Sequence, residues 1–188
     1  MPKILFHTCC SPCACQPIEE LVKQGFEVTI FYYNPNVQPR EEYDARLAEL
    51  KKYLQEWPMV EIIEGEYEVE KWLEQIKGLE SEPERGRRCD VCYEMRLRKT
   101  AEQAKKLGYE YFGSSLSISP HKKAEKISEL GQKIAAEMGV KFLDRDWKKM
   151  GGWQQACALA KEHNFYRQNY CGCVFSKSKM KNQNEKLR

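Results

Sequence analysis

Short apolar runs of strand length alternate with longer helical stretches along most of this 188-residue chain, and that alternation limits the possible folds more than any other feature. Lys3-Ile-Leu-Phe-His7 reads as a buried strand, and Val28 to Tyr33, rich in β-branched and aromatic residues, as a second. Val60 to Ile63, Tyr109 to Ser114 and Val140 to Leu143 continue the series. Helices are expected over Ile18 to Gln24, Arg40 to Trp57, Glu68 to Lys77 and Tyr93 to Leu107, with Gly108 as a C-terminal stop. Ser119-Pro120 carries the signature of an N-cap followed by a first-turn proline, so a further helix is expected from there to Gly139. Strands joined by helical crossovers give a mainly parallel, doubly wound α/β sheet with helices on both faces, whose ligands sit at the C-terminal strand edge. A single α/β domain over 1–188 is expected, with a basic tail from about residue 177.

Hydrophobic residues at 41% and charged residues at 31% suit a globular core and argue against disorder or a fibrous coil. The first apolar run is far shorter than a signal-peptide core, and no segment approaches the ~20 apolar residues of a membrane helix. A cytoplasmic location without membrane contact is therefore the expectation. In that reducing setting nine cysteines do not read as a disulfide framework, which leaves metal binding or redox chemistry. A net charge of +3 permits an RNA partner without requiring one.

The cysteines fall into two kinds of group. Cys9, Cys10, Cys13 and Cys15 share what reads as one loop after the first strand, and Cys89-Asp-Val-Cys92 lies far downstream at the start of a helix. Soft thiolates select zinc or iron–sulfur clusters. Four cysteines from two segments match the ligand count of a [4Fe-4S] cluster, while the adjacent Cys9-Cys10 departs from the paired knuckles of a structural zinc site. The helix dipole with Arg87 and Arg88 is expected to lower the thiols at 89 and 92. Cys171-Gly-Cys173 differs: two thiols so close join only in a small strained ring of the labile, catalytic type, or else both serve as further metal ligands. Cys157, inside Ala156-Cys-Ala-Leu-Ala160, reads as a small core residue.

Two further segments offer contacts to a substrate. Ser114-Ser115 with Ser119-Pro-His121-Lys122-Lys123 brings hydroxyls, amides and cations together where a phosphate could sit, or is simply a capped helix with a solvated basic turn. Tyr166-Arg167-Gln-Asn-Tyr170, next to the Cys-Gly-Cys pair, combines stacking faces, a guanidinium and amides in a way that suits an unstacked base. His7 ends the first strand as a candidate proton donor, although a satisfied structural histidine is the commoner outcome. No Walker-type phosphate loop and no dinucleotide-binding glycine turn occurs, which removes kinase and nicotinamide-dehydrogenase readings.

His7-Thr-Cys-Cys-Ser-Pro-Cys13, Tyr33-Asn-Pro-Asn36 with Glu42-Tyr43, Arg88-Cys-Asp-Val-Cys-Tyr93, Ser119-Pro-His-Lys122 and Tyr166-Arg-Gln-Asn-Tyr-Cys-Gly-Cys173 together resemble the cobalamin-independent epoxyqueuosine reductases of the QueH type over nearly the whole chain. The resemblance implies a fold similar to the adenine-nucleotide α-hydrolase (HUP) group. His-Thr-Cys-Cys stands where ATP-using members of that group carry Ser-Gly-Gly-x-Asp-Ser, which counts against ATP use. The implied reaction reduces the epoxide of a modified guanosine at the tRNA wobble position. By the same resemblance Cys9, Cys10, Cys89 and Cys92 would hold a [4Fe-4S] cluster, and Cys171 with Cys173 would form a redox-active disulfide. Deoxygenating an epoxide takes two electrons and two protons, so a dithiol store beside a one-electron cluster is the expected arrangement, supplied by an electron donor. An additional iron ion, held by Cys13, Cys15 or a carboxylate, is a further option. The partner implied is a tRNA carrying epoxyqueuosine, with His121, Lys122 and Arg167 as candidate substrate contacts. The rivals are a zinc-stabilised RNA-binding module and an ATP-dependent tRNA-thiolating relative.

Overall fold

The computed structural model describes residues 1–168 and 170–176. Its five strands are β1 (Lys3–His7), β2 (Glu27–Tyr32), β3 (Glu61–Glu64), β4 (Tyr111–Ser114) and β5 (Lys141–Phe142). They pair in the order β3-β2-β1-β4-β5, and every pairing is parallel. The helices are α1 (Ser11–Lys23), α2 (Arg40–Leu54), α3 (Val69–Gln75), α4 (Arg87–Leu107), α5 (Ala124–Met138) and α6 (Gly152–Glu162). Strand order reverses direction at β1, so the crevice above the C-terminal ends of β1 and β4 is the place where a doubly wound sheet leaves room for a ligand.

Alternation along the strands sorts the core into two layers. Ile4, Phe6, Val28, Ile30 and Tyr32 face α1, α2 and α6, where Ile18, Leu21, Leu47, Leu50 and Ala156 meet them. Leu5, Phe31, Tyr33 and Phe112 face the other way, onto Trp72, Leu97, Ala101, Ile127 and Ile134 of α3, α4 and α5. Each fully buried Leu, Ile or Phe contributes about 1.5–3 kcal/mol, enough across two layers to fix the sheet register.

Several element boundaries differ from the sequence reading, among them the end of α2, which stops at Leu54 rather than Trp57. The first helix begins at Ser11 rather than Ile18, with Pro12 in its first turn, so Cys13 and Cys15 are helical rather than in a loop. Proline is suited to that position because the first amides of a helix lack partners anyway. The helix expected from Tyr93 begins at Arg87, after Gly86 as N-cap, which places Cys89 and Cys92 in its first two turns. Ser119-Pro120 does not open α5: a 3₁₀ turn occupies Ser115–Ile118 and the α-helix starts at Ala124. The segment expected over Glu68 to Lys77 is helical only over Val69–Gln75. The basic stretch from Lys177 to Lys181 lies outside the described residues.

Candidate metal and redox site

Three separate segments deliver thiols to one cavity of about 390 Å³. Cys9 and Cys10 follow β1, Cys13 projects from the first turn of α1, Cys89 and Cys92 come from α4, and Cys171 and Cys173 come from the segment after α6. Helical spacing explains α4's share, since Cys89, Cys92, Tyr93 and Arg96 recur at i, i+3, i+4 and i+7 and so occupy one face. The sulfurs of Cys9, Cys10 and Cys13 lie within 4.8 Å of one another, close enough to share one ion. Cys13 was not assigned as a cluster ligand from sequence, although Cys10-Ser-Pro-Cys13 is itself a Cys-x-x-Cys pair; the signal was hidden by reading α1's first turn as loop.

The protonation balance of the trio is uneven. Hydrogen bonds from Cys10 and Cys13 hold the Cys9 thiol well below its ordinary range against the opposing effect of burial, with Lys122 and Arg46 assisting. Those same contacts, together with burial, push Cys10 well up. Cys13 is drawn down by Cys10 but ends raised through its contact with Cys9 and its burial. Three adjacent thiols thus hold one easily formed thiolate between them, and a bound soft cation is what would ionise the others.

The expected lowering at the start of α4 is not found. Burial pushes Cys89 up even though the Arg85 amide donates to its sulfur at 3.3 Å. Burial likewise raises Cys92 to about 11, outweighing Arg96. The Arg88 charge lowers Cys89 but is outweighed by burial, and its guanidinium donates to the carbonyls of Leu79, Glu80 and Glu82 and lies over the Phe175 ring.

Cys171-Gly172-Cys173 is fastened to the β2–α2 connection. Gln38 N–H donates to the Gly172 carbonyl at 2.9 Å, and Arg46, paired with Glu42 at 2.8 Å, donates to the Cys171 carbonyl at 3.3 Å. Gly172 has φ +113, and a Cβ there would stand 3.0 Å from Val37 and 3.1 Å from Arg46, so the turn requires glycine on both counts. The Cys173 thiol donates to Ser176 Oγ at 3.4 Å. Both cysteines are unbridged thiols here.

The remaining candidates divide between wall and scaffold. His121, Lys122 and Arg167 all line the cavity, with Lys122 buried and Arg167 exposed at the rim beside Gln168 and Tyr170. Asn169 lies outside the described residues. Cys157 is not the core residue expected: it lines the cavity half-buried, and its sulfur accepts from Arg167 at 3.6 Å. Cys15 faces the α6 side, donating to the carbonyls of Pro12 and Ala156, and burial pushes it up to about 12. Ser114 and Ser115 are not anion donors, because their hydroxyls are engaged by His7 and Thr8 at 2.9 Å. His7 is structural: its second ring nitrogen bonds the Tyr33 carbonyl at 3.1 Å, and burial followed by the Arg96 charge lowers it to about 3, leaving the ring neutral. Arg46 and Arg96, which the sequence reading does not single out, and Arg88, named there only as a neighbour of Cys89, are fully buried around the cavity. Of the two that it does not single out, Arg96 carries a legible sign, its i+4 spacing from Cys92.

Comparison with known proteins agrees with this geometry. The family model described as "Epoxyqueuosine reductase QueH" matches residues 4–179. Proteins of that name from Staphylococcus epidermidis and Streptococcus pyogenes serotype M1 are 40% and 38% identical, covering 95% and 93% of this chain and 77% and 70% of their own. The Thermotoga maritima protein of that name is 37% identical, covering 94% of this chain and 91% of its own. Among solved structures, the U34-tRNA thiolase NcsA from Methanococcus maripaludis with its [4Fe-4S] cluster superposes with a TM-score of 0.60 over 99% of this chain and 66% of that one, at 14% identity. That likeness shows a shared doubly wound α/β fold.

Proposed function

The chain belongs to the epoxyqueuosine reductase QueH family, and from that premise we propose that its cysteine-lined cavity reduces the epoxide of epoxyqueuosine at the wobble position of a tRNA to the alkene of queuosine, releasing water. The observation that carries the reading is the convergence of eight thiols, seven of them from three segments and Cys157 from α6, on one cavity at the sheet's topological switch point.

The donor set fits an iron–sulfur cluster. Its ligands are all soft, three of them lie within 4.8 Å, and the cavity offers one exposed carboxylate, Glu84, where a hard-cation site would need several. Cys9, Cys10, Cys89 and Cys92 are the proposed holders of a [4Fe-4S] cluster, with Cys13 free for a further iron. When bound, the cluster would supply electrons singly, and the further iron would supply a Lewis acid for the epoxide oxygen.

The chain's own residues supply the rest. Oxidation of the Cys171 and Cys173 thiols to a disulfide releases two electrons and two protons, which is what converting an epoxide to an alkene and water consumes. An external electron donor then restores the dithiol. Cys173 is poised for this by its hydrogen bond to Ser176, and Cys171 by the anchoring of its carbonyl to Arg46. Arg167, Gln168 and Tyr170 at the rim present a guanidinium, an amide and an aromatic face to a base taken out of its stack. His121 also lines the cavity.

The test is iron and sulfide content, with the visible spectrum, of protein prepared without oxygen, followed by turnover of epoxyqueuosine-containing tRNA with a chemical reductant. Iron and sulfide together with formation of queuosine are expected. Zinc without iron or sulfide, and no turnover, would instead assign the chain as a zinc-stabilised RNA-binding module.

A further inference from the structure

The cavity wall carries more buried positive charge than its own side chains balance. Arg46 has Glu42, and Arg88 has three carbonyls. Arg96 and Lys122 have nothing comparable. Arg96, 1% exposed, donates from Nε to the Cys92 carbonyl at 3.2 Å and lies 5.8 Å from the centroid of the Tyr93 ring, and its Nη2 has no partner among the described residues. Lys122, 7% exposed, reaches the cavity from the turn before α5, and no carboxylate among the described residues lies within 4.0 Å of either cation. Burying a cation without an opposite charge costs far more than one or two hydrogen bonds return, so an anion belongs beside them.

The groups facing these two cations are sulfurs. Arg96 and Lys122 share the cavity lining with Cys9, Cys13, Cys92, Cys171 and Tyr93, and the charges of these groups act on the two cations. Protonated thiols carry no charge, so the wall is balanced only when several become thiolates together, as happens when they ligate a metal group. An iron–sulfur cluster held by four thiolates is a net anion, and it gains a further negative charge on reduction.

We propose that Arg96 and Lys122 are the fixed counter-cations of the cysteine-held cluster, positioning residues that favour its reduced form rather than contacts to RNA phosphate. The inference rests on the cluster reading of the preceding section. It deepens that reading by naming what sets the reduction potential. Arg96 comes from the same helix face as Cys89 and Cys92, and Lys122 reaches the same cavity from the turn before α5. A buried cation on the wall of that cavity stabilises an added electron on the cluster. Arg167, exposed at the rim, is left as the guanidinium available to RNA.

The experiment is a redox titration of the reconstituted protein, followed by the visible absorbance of the cluster, for the wild type, Lys122→Met and Arg96→Met, with Lys122→Arg and Arg96→Lys as charge-keeping controls. Each charge-removing change is expected to reduce the equilibrium constant for one-electron reduction by roughly tenfold, a midpoint about 59 mV more negative. The charge-keeping variants should recover at least half of that shift, and tRNA affinity should stay at the wild-type value. An unchanged midpoint in Lys122→Met overturns the proposal, and this variant decides the case even if Arg96→Met fails to fold, because Lys122 sits in a turn outside the helices. Weaker tRNA binding in Lys122→Met, with a salt dependence reduced by about one counterion and no change of midpoint, would give the cation to phosphate instead. If the wild type itself takes up no iron and sulfide, the cluster reading has failed before any variant is compared, and the counter-cation role falls with it.

Discussion

The two cysteine segments that meet across the cavity are held in opposite ways. Cys9 and Cys10 sit between a central strand and a helix, where the backbone is locked from several directions. Thr8 N–H donates to the Phe31 carbonyl, Asn34 donates to the Thr8 carbonyl, and the amides of Cys13 and Ala14 both close onto Cys10. Cys171 and Cys173 belong to no strand, and among the described residues Gln38 of the β2–α2 connection and Arg46 of α2 donate hydrogen bonds to the backbone of their turn. The first arrangement suits sulfurs that keep one position around a bound group. The second suits sulfurs that must approach each other and part again, since few bonds need to break for them to move.

The comparison breaks most visibly if the anchored segment proves dispensable. Cys10→Ser and Cys89→Ser should each deplete iron and sulfide and lower turnover by at least about 100-fold, as loss of a ligand should exceed the effect of losing a supporting contact. Full retention of both elements in either variant would remove that residue from the ligand set.

Next in size is the effect of altering the tethered pair. Cys171→Ser and Cys173→Ser should retain iron, sulfide and tRNA binding while losing multiple turnover. Alkylation trapping with mass spectrometry on the wild type should show a Cys171–Cys173 bond after substrate is added. A pair that stays reduced throughout turnover sinks the electron-store role, and iron loss in these variants would make the pair metal ligands.

Gly172→Ala sharpens the contrast without touching a sulfur. Its left-handed backbone and the closeness of Val37 and Arg46 should cost about 1 kcal/mol or more in denaturant titrations, with turnover reduced and iron content unchanged. Equal turnover would show that the geometry of the turn does not matter to the thiols it carries.

The smallest effect is expected at Cys15. It shares α1 with Cys13 but points to α6, so Cys15→Ala should leave iron content and turnover at wild-type levels and lower stability by about 1 kcal/mol for a small buried side chain. A loss of iron there would mean that both faces of the helix serve the site.

Much of the scaffold was readable before any coordinates, because strand alternation and helical spacing are properties of neighbours in the chain. The five strands appear within a few residues of their expected positions, and α6 carries the Ala156 to Ala160 run as expected. The failures also have local causes. Ser11-Pro12 and Pro17 look like loop punctuation, yet a first-turn proline is compatible with a helix that packing against α6 extends. Ser119-Pro120 has the form of a helix start, but burial of Leu116 and Ile118 favours a 3₁₀ turn first and delays α5 to Ala124.

Residue type and local spacing mark Cys9, Cys10, Cys13, Cys15, Cys89 and Cys92 as candidate metal thiols and Cys171 with Cys173 as a pair of another kind, since thiols in this number have few other uses in a reducing setting, while the narrower ligand set is what the family resemblance implies. Tertiary structure alone decided which of these thiols meet and which other residues join them. Cys13 reaches Cys9 and Cys10 because α1 starts at Ser11; Cys157 turns to the cavity through the orientation of α6; and Arg96 and Lys122 lose their solvent where α4 and the turn before α5 close over the ends of β1 and β4. A basic residue reads the same in sequence whether it faces water or sulfur. The strand order β3-β2-β1-β4-β5 separates those cases, by bringing segments more than a hundred residues apart to one edge of the sheet.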